Sequence, residues 1–201
     1  KNFRLYELII FNLTAVIYTT AGIMIVTFAL LYTKGVNDVT YYRPVFALIA
    51  TIAGAFSCFR VPYQTVTEAA GHYRQTRNGA IIEVIINIAI SLLAVVRFGL
   101  IGVAIGTLVS FVFRSLQFAI YLSKNIIKRS IWIFFGHVFV NAIIVILSYL
   151  FADRFLAWEI QSFLQWTLKA CCVTGFTGVI TLLFSILFYK KDLLYLLDKI
   201  K

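Results

Sequence analysis

Long charge-free apolar stretches alternate with short polar connectors along the whole chain. Leu8 to Tyr32 is 25 residues without a charge. A bilayer core about 30 Å thick asks a helix for about 20 such residues. The same reading gives six spans, at about 8–32, 44–70, 80–96, 100–122, 131–151 and 164–188. The predicted fold class is all-α integral membrane, a six-transmembrane-helix bundle over residues 1–189. Residues 190–201 read as a basic amphipathic tail on the membrane surface.

Punctuation between the runs agrees with this division. Gly35 follows the first apolar run and stops it, and Pro44 opens the second, where its missing N–H costs nothing. The uncharged part of span two ends at Phe59, so the helix is carried through Arg60 to about Ala70, with a kink expected at Pro62. GHYRQTRNG is read as the turn into span three. Only Arg97, Phe98 and Gly99 separate spans three and four, which makes them antiparallel neighbours. Gly102, Gly106 and Ser110 recur every four residues, the small-residue spacing that brings membrane helices close. Trp158 and Trp166 are candidate interfacial anchors, and Lys169 is placed to snorkel outward.

Composition removes the soluble alternative. The chain is 62% hydrophobic and 13% charged, against roughly 25% charged in soluble domains. A net charge of +10 raises nucleic acid as a partner, but the basic residues sit in short clusters between apolar runs, so the lipid bilayer is the expected partner instead. Twelve basic residues fall on the side of the termini and five on the other, which places both termini in the cytoplasm. Cys58, Cys171 and Cys172 lack metal-ligand spacing and read as buried, reduced thiols; no cofactor or metal is expected. The chain opens at Lys1 with neither an initiator Met nor a signal pattern, and it reads as a fragment or a protein whose beginning is missing.

Polar residues on several spans fall three or four apart and so share a face. They are Arg60, Gln64 and Glu68 on span two, and Glu83, Asn87 and Ser91 on span three. Arg114, Gln117 and Tyr121 continue span four, His137 and Asn141 mark span five, and Thr174, Thr177, Thr181 and Ser185 mark span six. At about 1.5 Å per residue, Arg60 and Arg114 both lie roughly 15 Å from the inner ends of their helices, near the midplane. A charge there costs roughly 2.5–3.5 kcal/mol and needs an offset. Two cations with no acid at their level suit a phosphate or pyrophosphate, which Arg grips through its fork. Gln64 and Asn87 join them as candidate substrate-binding residues. Glu68 and Glu83 are placed nearer the cytoplasmic edge, lining the cavity or pairing with Arg74 or Arg77.

Plainer roles compete at each position. Arg60 can end its helix and snorkel, and Arg114 can be a structural partner of Glu83 or of backbone carbonyls. His137 can be a core histidine rather than a proton relay, and the hydroxyl stripe on span six can serve helix packing. There is no Gly-rich phosphate loop, nucleophile elbow or acid pair in a soluble loop, and the outer connectors are short. A conduit is therefore expected rather than an enzyme.

Three strings carry a family resemblance. FALLYTKGVNDVTYYRPVFAL, RVPYQTVTEAAGHYRQTRNGAIIEVIINIAISL and FGLIGVAIGTLVSFVFRSLQFAIYLSKNI resemble the C-terminal half of Wzx-type bacterial polysaccharide exporters, flippases of lipid-linked oligosaccharides. The resemblance is strongest over residues 20–130 and holds for the last two helices in pattern only. It implies one half of a 12- to 14-helix transporter of two rocking bundles in the bacterial cytoplasmic membrane, with the N-terminal six-helix half absent. It implies a polyprenyl-pyrophosphate-linked oligosaccharide as cargo, moved by alternating access, with Arg60 and Arg114 at cavity-lining cationic positions. A glycan polymerase or glycosyltransferases are candidate further partners. Two other functions fit the same residues: a multidrug or cation antiporter of the same superfamily, and a non-transporting membrane scaffold of a glycan assembly complex.

Overall fold

The computed structural model describes residues 2–36, 39–156 and 158–200, with side chains up to Lys190. Among them every regular element is a helix: α1 (Asn2–Tyr32), α2 (Pro44–Ala69), α3 (Tyr73–Phe98), α4 (Leu100–Asn125), α5 (Trp132–Phe155) and α6 (Phe163–Ile200). Each is long and apolar enough to cross a membrane. The chain is an all-α, multi-pass membrane protein.

The helices group into two compact units, one formed by Lys1–Arg43 with His137–Lys201 and the other by Pro44–Gly136. In the second unit α3 lies on α4 through small residues. A Cβ added to Gly102 would come within 2.4 Å of the Ala94 backbone, and one on Gly106 within 2.1 Å of Ser91 Oγ. Helix α2 joins them through Ser115, whose hydroxyl donates to the Phe56 carbonyl at 2.7 Å. Phe59, Tyr63, Phe118 and Leu122 are buried there. The other face of α3, from Ile81 through Ile85, Ile88 and Leu93 to Val96, is exposed and apolar, as a lipid-facing surface must be.

In the first unit α6 packs on α1 through hydroxyls and amides. Asn12 Nδ2 donates to Ser185 Oγ at 2.9 Å, and the Thr20 and Thr174 hydroxyls meet at 3.1 Å. Thr177 reaches Ser148 of α5 at 3.1 Å, and the Trp166 indole donates to the Met24 carbonyl at 3.1 Å. The stripe read on span six is thus a packing face.

Helices α4 and α5 run a few residues past their expected ends, to Asn125 and Phe155, and three other boundaries differ from the sequence reading. First, α1 begins at Asn2, not Leu8, so Glu7 lies inside the helix. Second, the turn before α3 is only Ala70 to His72. Gly71 takes φ +77°, its N–H donates to Glu68 O at 2.8 Å, and His72 N–H donates to Thr67 O at 3.2 Å. That pair of bonds is a Schellman cap, which lets the next helix start at once. Arg74 and Arg77 therefore sit on the first turns of α3. Third, α6 leaves helical torsions at Tyr189 and resumes to Ile200. The amphipathic character expected for residues 190–201 rests on side chains that, past Lys190, lie outside the described residues. Helix α2 runs through Pro62, which is buried. Cys58 is half-buried, and Cys171 and Cys172 are exposed rather than buried.

Candidate functional site

Arg60, Glu83 and Arg114 meet inside the second unit. Arg60 Nη1 lies 2.9 Å from Glu83 Oε1, and Arg114 Nε lies 3.4 Å from Glu83 Oε2. The register of three helices explains the meeting. Arg60 is about 14 Å back from the end of α2, Glu83 about 15 Å into α3, and Arg114 about 16 Å back from the end of α4. The short turn after α2 and the Gly99 turn after α3 make α3 antiparallel to both α2 and α4, so these depths coincide.

The level assigned to Glu83 from sequence is therefore corrected. An acid does stand beside the two arginines, because α3 begins at Tyr73 instead of Ala80 and carries Glu83 a further two turns inward. Its partners are Arg60 and Arg114, not Arg74 or Arg77; both of these are exposed and form no ion pair among the described residues. Glu68 accepts from Gln64 Nε2 at 2.8 Å on its own helix. Asn87 donates to Ser110 at 3.3 Å and accepts from Ser91 at 3.3 Å, which makes it part of the α3–α4 seam.

The two guanidiniums are held differently. The Arg114 side chain is 9% exposed, that of Arg60 20% and that of Glu83 18%. Arg114 Nη1 also donates to the Thr76 carbonyl at 2.9 Å and to Gln117 Oε1, and its guanidinium lies 4.3 Å from the Phe118 ring centroid. The Gln117 amide lies over Gly79, in the space that a Cβ there would take. Arg60 has the Glu83 bond and a Phe111 ring at 5.6 Å, while its buried Nε has no hydrogen-bond partner. Two guanidiniums share one directly paired carboxylate, and the next acid, Glu68, lies eight residues further along α2. A planar cation with spare donors next to a second one can receive an oxyanion.

The first unit contains a buried acid that the sequence reading left outside the helix. Glu7 is 0% exposed, and its Oε2 lies 3.8 Å from His137 Nε2. The His137 ring stacks on Tyr189 at 4.6 Å and meets Phe11 at 5.0 Å. Asn141 Nδ2 donates to the His137 carbonyl, and its own buried Oδ1 has no hydrogen-bond partner. The signal for Glu7 was its spacing: Glu7, Phe11, Thr14 and Ala15 fall on one helical face and are all buried.

No family model, curated protein or solved structure matches the chain. The functional reading therefore rests on these side chains and the helices that hold them.

Proposed function

We propose that this chain is part of a transporter that carries a polyprenyl-pyrophosphate-linked oligosaccharide outward across a bacterial cytoplasmic membrane by alternating access. Its termini face the cytoplasm, and Arg60 and Arg114 receive the pyrophosphate. The observation that carries this reading is the convergence of two arginines at one level of an apolar three-helix unit, with Glu83 the one acid directly paired to both among the described residues. Maintaining cations there is costly, and a transported anion gives that cost a use. The polar neighbours Gln64 and Glu68 line the same face of α2. Glycan-assembly enzymes are the natural partners of such a carrier.

The test is export of surface glycan from cells carrying Arg60→Ala alone, and Arg60→Ala with Arg114→Ala, at matched membrane levels. Export should fall at least about tenfold in both, a loss of about 1.4 kcal/mol or more in effective coupling. Wild-type export from the double variant would remove the arginines from the mechanism.

The buried Glu7–His137 pair favours a second reading, an antiporter that couples cargo to a cation or proton. Drug resistance conferred by the gene, and lost in Glu7→Gln, would select it over glycan export.

A further inference from the structure

We infer that Glu83 is a resident counter-anion that the cargo phosphate must displace, so that the site selects dianionic phosphates over monoanionic ones. This rests on the reading of Arg60 and Arg114 as a phosphate site and adds the element that sets its selectivity. One carboxylate spans both cations, Oε1 on Arg60 and Oε2 on Arg114. An incoming pyrophosphate diester, the linkage of the proposed cargo, presents a pair of oxygens on each of two phosphorus atoms with one charge on each, twice the charge of the carboxylate in all. A phosphodiester presents the same pair with a single charge, which is what Glu83 already supplies. Displacement is therefore favourable only for a ligand carrying more charge than the carboxylate it replaces.

The mounting of the three residues supports exchange at one side. Arg114 retains the Thr76 carbonyl, Gln117 and the Phe118 face when Glu83 leaves. Gly102 and Gly106 hold α4 close against the α3 backbone, which fixes where Glu83 and Arg114 start. Arg60 is on α2, is the most exposed of the three, and has an unused buried Nε. The Arg60–Glu83 contact is the one that opens, and the vacated fork takes the phosphate.

The experiment is calorimetric titration of the whole chain in lipid nanodiscs with inorganic pyrophosphate and with diethyl phosphate. Wild type should bind pyrophosphate and not diethyl phosphate. In Glu83→Gln, pyrophosphate should bind about tenfold more tightly or better, and diethyl phosphate should become a ligand. Removing a partner from a buried ion pair can unfold the unit. Glu83→Asp therefore serves beside it: it keeps the charge but is one methylene too short to span both arginines, and it should tighten pyrophosphate by a smaller factor. Pyrophosphate affinity unchanged or weakened in a folded Glu83 variant, with wild-type binding intact and dependent on Arg60, overturns the displacement and spares the phosphate site. Absence of pyrophosphate binding in wild type and both variants overturns the two together.

Discussion

The two units solve the same problem with different chemistry. Each buries ionisable groups among apolar helices. In the unit of α2, α3 and α4 the charges are guanidiniums, which stay charged in any protein environment. They share one carboxylate and remain partly open at Arg60. In the unit of α1, α6 and most of α5 the pair is Glu7 with His137, both buried, with the carboxylate 3.8 Å from the imidazole. The helix seams differ in the same sense. Glycines bring α3 and α4 into backbone contact, whereas hydroxyls and amides hold α6 to α1. A permanent charge needs a rigid frame to keep its partner in place.

The sharpest way to break this contrast is Arg114→Ala. The change leaves Arg60 sharing Glu83 alone, and takes a donor from the Thr76 carbonyl and from Gln117. Loss of one partner in a buried ionic network costs about 3–5 kcal/mol. Denaturant or thermal unfolding in detergent should show a loss of that order, larger than for Arg60→Ala, whose side chain is more exposed and less bonded. Equal losses would mean that Arg114 is not the fixed member of the pair.

How far the sequence carries the reader depends on where a helix is allowed to start. The six helices and their order were legible because apolar runs of membrane length are hard to place elsewhere. The shared depth of Arg60 and Arg114 was legible from counting along α2 and α4. Glu83 was misplaced because RQTRNG looks like a loop, and assigning it to one moved the start of α3 by two turns. The periodicity that places Glu83, Asn87 and Ser91 on one face extends back through Gly79 to Thr76, and that continuation is the missed clue. Glu7 was lost in the same way, since counting charge-free residues ends a helix at its first acid even when the helix continues. The orphan N–H groups at a helix start need water or a cap, not an apolar residue, so polarity alone does not mark the boundary.

Gly102→Ala probes the steric half of the contrast. The new methyl would meet the Ala94 carbonyl carbon at 2.4 Å, and that neighbour is backbone, which yields only if the whole helix moves. Overpacking of this kind costs about 1–3 kcal/mol. It should also move Glu83 away from Arg114, so the variant should lose stability and phosphate affinity together. A stable variant with normal affinity would show that α3 can slide on α4 without disturbing the cluster.

The smallest effect is expected at Thr177→Val in the other unit. Thr177 is fully buried between α6 and α5, donating to the Val173 carbonyl at 2.8 Å and meeting Ser148 Oγ at 3.1 Å. Valine keeps the shape and removes the hydroxyl. Side-chain hydrogen bonds between membrane helices average about 0.6 kcal/mol, because the separated helices also find partners. A reversible unfolding measurement should therefore find a loss below about 1 kcal/mol, less than for Gly102→Ala, with the Glu7–His137 contact unchanged. A loss as large as the glycine variant's would mean that the hydroxyl seam is as strict as the glycine seam, and that the two units differ in their charges but not in how firmly their helices are held.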